Sequence, residues 1–165
     1  MRQVLAGLAC MLLTAYALGQ TSTGQMNTGI DRDSESSIAA RASALKAEAE
    51  SSPTGLAMVT LKKYPGHYTM LTVRTRSGGA EMHAETNDIF VVLDGEATEV
   101  SGGTIVEPKE ISPGETRGVR IEGGTSTPMH KGDMIHIEPN TPHQTILPPG
   151  KTLTYYVIKV AARKS

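Results

Sequence analysis

Gly79-Ala80-Glu81-Met82-His83-Ala84-Glu85-Thr86-Asn87-Asp88-Ile89-Phe90-Val91-Val92-Leu93-Asp94-Gly95 is the stretch from which the fold is read. Ile89 to Leu93 is a short apolar run rich in β-branched residues. It is closed by Asp94-Gly95, a dipeptide that signals a hairpin. In an extended chain, residues two apart point to the same face, so His83 and Glu85 are expected to reach one centre. Asp88 is expected to open the next strand after a tight turn at Thr86-Asn87.

Working outward, the same alternation of short β-rich runs and turn residues continues. Tyr68 to Val73 reads as a strand ending at Ser77-Gly78-Gly79, and Glu96 to Val100 as a strand closed by Gly102-Gly103. Residues 107–128 carry Pro108, Pro113, Gly114, Gly123, Gly124 and Pro128, so a loop-rich insertion is expected there, with one strand at Val119 to Glu122. Met134 to Ile137 and Thr152 to Val160 complete the set. Many short strands separated by turns imply a sandwich or a barrel. Only one helical period appears: Ile38, Ala42, Leu45 and Ala49, with Asp33 or Ser34 as cap and Pro53-Thr54-Gly55 as stop. This short amphipathic helix is expected against the outside of the barrel.

The first nineteen residues read as a secretory signal. Arg2 is their only charge, Val4 to Leu18 is apolar apart from Gly7 and Thr14, and Ala17-Leu18-Gly19 suits cleavage before Gln20. The run is short for a membrane span, which needs about 20 apolar residues. The organisation expected is therefore a signal over 1–19, a Ser/Thr/Gly-rich leader and helix over 20–55, and a barrel over 56–162. The mature protein would be periplasmic or secreted and free of the membrane. The single cysteine, Cys10, lies in the signal, so the mature chain would have no disulfide and no thiol chemistry. The formal net charge is −1 and no Lys/Arg cluster occurs, which gives no reason to expect a nucleic-acid partner.

Five histidines are present, at positions 67, 83, 130, 136 and 143. His136 is out of phase with Ile135 and Ile137, so it faces outward if they face the core. His130 precedes the Lys131-Gly132 turn and is expected at the surface, and His67 begins a strand without an inferred role. His143 follows the stiffened turn Glu138-Pro139-Asn140-Thr141-Pro142. Nothing in the sequence matches a serine-histidine-acid arrangement or a phosphate loop.

Together, the segments 79–95 and 132–143 resemble the two motifs of the cupin superfamily. The first cupin motif has a histidine pair one residue apart, then a glutamate, six residues and a glycine. His83 stands at the first histidine, Glu85 at the second and Asp88 at the glutamate, with six residues before Gly95. In the second motif Glu138 replaces a proline, Asn140 replaces a glycine, and His143 keeps the final histidine. The resemblance covers about residues 60–160, and is strongest to small exported bacterial cupins. It implies an all-β, single jelly-roll barrel holding a divalent metal (Fe, Mn, Zn, Ni or Cu) on His83, Glu85, Asp88 and His143. It also implies a homodimer. Histidine and carboxylate donors suit such ions.

Three functional readings follow. The first is a metal-dependent enzyme on a small organic substrate, of dioxygenase, isomerase or lyase type, with Glu85 or Asp88 as base. The second is a binding module for a sugar or small acid, with or without metal. The third is a structural barrel, in which His83 only hydrogen-bonds Asp88, Asp88 caps a turn and His143 pins its own loop. Lys109, Arg117 and Arg120 could receive an anionic ligand, although charges scattered through a loop are usually just solvated.

Overall fold

The computed structural model describes residues 29–162, so the expected signal, Cys10 and most of the expected leader before the helix lie outside the described residues. By its contacts the chain divides into Met1–Arg32 and Asp33–Ser165, and the second unit carries every element below. Helix α1 spans Glu35–Ser51. Twelve strands follow: β1 Leu56–Tyr64, β2 His67–Arg74, β3 Ala80–His83, β4 Thr86–Ser101, β5 Thr104–Val106 and β6 Lys109–Ser112, then β7 Glu115–Gly118, β8 Arg120–Glu122, β9 Thr125–His130, β10 Met134–Ile137, β11 His143–Ile146 and β12 Leu153–Ala161. Among the described residues no helix is long and apolar enough to cross a membrane.

The barrel has two antiparallel walls that share β4. Its first half pairs with β12 and β10, in the order β1-β2-β12-β4-β10. Its second half pairs with β9 and β11, in the order β6-β7-β3-β11-β4-β9. Asp94-Gly95, expected to turn a hairpin, instead lies inside this continuous strand. Gly95 takes φ 88°, and a Cβ there would collide with the carbonyl oxygen of Thr152 on the approach to β12. A glycine inside a strand that meets another backbone this closely marks a corner rather than an end, and the chain passes from one wall to the other across it.

The pleat sorts side chains between the walls and the outside. On β2, Tyr68, Met70, Thr72 and Arg74 face a cavity between the walls, whereas Leu71 and Val73 face out and pack under α1 with Leu45, Ala49 and Ala57. The helix is thus held where the sequence placed it. Ser34 is its N-cap and accepts a hydrogen bond from the Ser37 amide at 3.2 Å, and Gly55 takes φ 65° just past its end. Burying Leu71 completely contributes about 1.5–3 kcal/mol relative to leaving it in water. A second cluster, including Phe90, Val92, Met129, Leu153 and Tyr155, fills the barrel below the cavity.

The insertion over 107–128 is more ordered than its prolines and glycines suggested. It folds into β6, β7 and β8, with β8 on β5 as a separate ribbon and β7 hydrogen-bonded to β3. The strand expected at Val119–Glu122 begins one residue later, at Arg120, and the Val119 amide just before it also bonds to the Val106 carbonyl of β5.

Candidate metal centre

Three neighbouring elements build the site. Strand β3 carries Glu81 and His83 two residues apart and therefore on one face. Asp88 lies near the start of β4, directly opposite Lys159 of β12. His143 opens β11 directly opposite Glu81. The turn that delivers His143 passes through Asn140 at φ 59°, a left-handed conformation that asparagine adopts more readily than most residues. The Asn140 amide donates to the His83 carbonyl at 2.8 Å and ties this turn to β3.

Each imidazole has one nitrogen fixed and one free. His143 Nδ1 lies 3.0 Å from the Thr141 carbonyl, to which it can only donate, and His83 Nδ1 lies 2.6 Å from Glu115 Oε2. In each ring the remaining lone pair then sits on Nε2. Both Nε2 atoms are buried and make no hydrogen bond, as is Asp88 Oδ1. They converge: His83 Nε2 lies 3.4 Å from Asp88 Oδ2 and 3.8 Å from Glu81 Oε2. His143 Nε2 lies 3.7 Å from Glu81 Oε1 and 3.8 Å from Asp88 Oδ2. Donor atoms of Glu81, His83 and His143 all lie within 4.8 Å of one another. Burial pushes the His143 imidazole down to about 4, against the pull of the Thr141 carbonyl and Asp88, so it is neutral at neutral pH. A buried polar atom left unsatisfied costs about 1–3 kcal/mol, and several aimed at one point fit a bound cation.

Basic side chains clasp the carboxylates from the other side. Lys159 Nζ lies 2.5 Å from Asp88 Oδ2. Glu81 pairs with Arg117 and lies 3.8 Å from Arg74 Nη2. Burial raises the Asp88 carboxyl, but the neighbouring His83 and the hydrogen bond and charge of Lys159 outweigh it and hold Asp88 below the usual carboxylate range. The cluster opens on a cavity of about 200 Å³ between the walls.

His83, Asp88 and His143 are therefore brought together as the sequence suggested, and Glu85 is not. Strand β3 stops at His83, and Glu85 falls in the following bend with its side chain exposed. Within β3 the same-face neighbour of His83 is Glu81. Asp88 pairs with Lys159 rather than capping a turn. Glu115 was not singled out from sequence, and Arg117 stood only among scattered loop charges that could receive an anion, because only the pairing of β7 with β3 brings the two to the site. The other histidines lie apart from the cluster. His136 is exposed with Nε2 3.2 Å from Asn87 Oδ1, His130 is exposed, and His67 stacks on Tyr64 with ring centroids 4.5 Å apart.

No family model and no curated protein matches the sequence. Solved structures do resemble it in fold. A cupin 2 conserved barrel domain protein from Salinispora arenicola is 20% identical, over 66% of this chain and 78% of that one, with TM-score 0.47. A predicted oxalate decarboxylase from Thermotoga maritima is 13% identical, over 65% of this chain and 81% of that one, with TM-score 0.48. An oxalate oxidase is 16% identical, over 67% of this chain and 53% of that one, with TM-score 0.49. The strand order makes the domain an antiparallel β-barrel with its donor cluster between two walls. What it does must be argued from its own residues.

Proposed function

We propose that this chain is an exported single-domain cupin that binds one divalent cation on His83, His143 and Glu81, with Asp88 beside them, and binds or transforms a small organic molecule in the adjoining cavity. One observation carries the reading: two buried imidazole Nε2 atoms without hydrogen-bond partners converge with carboxylate oxygens on one point. A bound cation would supply Lewis acidity, polarising an oxygen of the small molecule.

The chain's own groups have definite tasks. Glu115 orients His83 through Nδ1, and the Thr141 carbonyl orients His143 in the same way, so both rings present Nε2 inward. Two imidazoles with carboxylates suit first-row divalent ions. Phe90, Met70 and Val157 supply an apolar wall that excludes water from one side of the cavity. Glu85 has no part in this arrangement, so the base role expected for it from the sequence is not retained.

The test is metal uptake. Protein stripped with chelator and titrated with Mn, Fe, Zn, Ni or Cu should take up close to one equivalent of at least one ion. The His143→Ala variant should retain its fold by circular dichroism and lose that uptake. Failure of every ion to bind the unmodified chain, or undiminished uptake by the variant, would overturn the reading. Export is supported by the pattern of residues 1–19, and the mature protein from its host should begin at Gln20.

A further inference from the structure

The donor cluster is surrounded by as many fixed cations as carboxylates. Arg74, Arg117 and Lys159 line the same cavity as Glu81, Asp88 and Glu115. Two of the cations are deeply set: Arg74 is 7% exposed, and the Lys159 side chain 13%. Arg74 cannot swing out, because its Nε donates to the buried Tyr155 hydroxyl at 2.9 Å. Only Arg117, at the mouth, is substantially exposed.

Each cation is held by a carboxylate that a metal would also claim. Arg74 and Arg117 lie on Glu81, and Lys159 on Asp88. A divalent ion settling between His83 and His143 would bring two more positive charges and draw on the same oxygens. Arg74 and Lys159 would then be left buried with weakened partners, an arrangement that proteins compensate rather than tolerate. Compensating negative charge would meet all three cations at once in the cavity onto which they face. The apolar wall of Phe90, Met70 and Val157 on its other side suits a carbon skeleton better than an inorganic ion.

We infer that Arg74, Arg117 and Lys159 form a recognition site for a small organic carboxylate that comes into being when the metal binds, so that metal and carboxylate each raise the other's affinity. The inference rests on the metal reading above and adds the ligand's chemical class and the order it imposes. Arginine offers a planar fork that matches a carboxylate, so Arg117 at the mouth would engage the anion first. The coupling is reciprocal by thermodynamic necessity.

Calorimetry on the full chain tests it, with Mn²⁺ and succinate as probes and a correction for their association in solution. The Mn²⁺ dissociation constant is measured with and without succinate, and the succinate constant with and without Mn²⁺. Both should tighten by the same factor, within the range of about 5- to 150-fold typical of coupled sites. Arg117→Gln should bind Mn²⁺ at least as tightly as the unmodified chain, since a competitor for Glu81 is gone, while losing most of the coupling to succinate. Arg117→Lys, which keeps the charge and loses the fork, should fall between. Succinamide, neutral and of similar shape, should not bind. If another of the five ions binds in place of Mn²⁺, that ion replaces it in these titrations; if none of them binds, the metal reading falls and this inference with it. If Mn²⁺ binds but succinate affinity is indifferent to it, or coupling survives intact in Arg117→Gln, or inorganic phosphate couples as strongly as succinate, the inference alone is overturned.

Discussion

Replacing Glu99 by glutamine should make the folded protein less sensitive to a rise in pH from 4.5 to about 7, by an amount that follows from its surroundings. Glu99 lies on the second half of β4, opposite Thr145 of β11, and is 1% exposed. The Thr145 hydroxyl donates to its Oε2 at 2.8 Å, and Oε1 has no partner. Burial pushes the carboxyl up from 4.5 to about 7, although Thr145 and the charge on Arg74 pull the other way. Below the unfolded value both states hold the proton and the stability is fully present. As pH rises through the window from 4.5 to about 7, the unfolded chain releases its proton while the folded one keeps it, so stability falls. Above about 7 both states are ionised and the loss stays constant. At 1.36 kcal/mol per pH unit the full loss is about 3 kcal/mol, a large share of the roughly 5–15 kcal/mol that holds a domain together. Glutamine keeps an acceptor for Thr145 and never ionises. Urea unfolding of both proteins with chelator present, from pH 5 to pH 9, isolates the effect, because the other titrating groups cancel in the difference. The stability of Glu99→Gln relative to the unmodified chain should rise by about 2–3 kcal/mol between pH 5 and pH 8 and then level off. A difference that stays flat across this range would show that Glu99 is ionised throughout in the folded protein, and the reasoning from burial would be wrong.

Glu115→Gln removes the carboxylate that orients His83, and Mn²⁺ affinity by calorimetry should fall about 10- to 100-fold with little change in thermal unfolding. Glu81→Gln should weaken Mn²⁺ binding severely, whereas Glu85→Gln should leave both affinity and stability within about 0.5 kcal/mol of the unmodified chain. Equal effects from those two variants would restore Glu85 to the site. Gly95→Ala places a Cβ against the Thr152 carbonyl in a left-handed conformation, which alone costs about 1–2 kcal/mol. The collision adds to that, so a variant as stable to urea as the parent would refute the corner assigned to β4.

The chain by itself determined the class of fold and most of the donors. Short β-rich runs at Ile89–Leu93 and Thr152–Val160, with turn residues between runs, allowed little but a sandwich or a barrel. The 3.6-residue period of Ile38, Ala42, Leu45 and Ala49 gave the one helix and its buried face. These signals are local: each depends on neighbours a few residues away, and a face that must be buried leaves its period in the sequence. His83, Asp88 and His143 were legible because their spacing resembles known motifs. Three things were decided only by the tertiary structure. Where β3 ends settles that Glu81 and not Glu85 shares the face of His83, and strand ends depend on pairing partners far along the chain. Asp94-Gly95 signals a change of direction, but only the approach of Thr152 makes it a corner in one strand rather than a hairpin. Glu115, Arg117, Arg74 and Lys159 reach the site from β7, β2 and β12 through registers such as Asp88 opposite Lys159 and Glu81 opposite Arg117. Such long-range pairings leave no periodic trace around any one of these residues, because a charged side chain reads the same whether it meets water or a carboxylate seventy residues away.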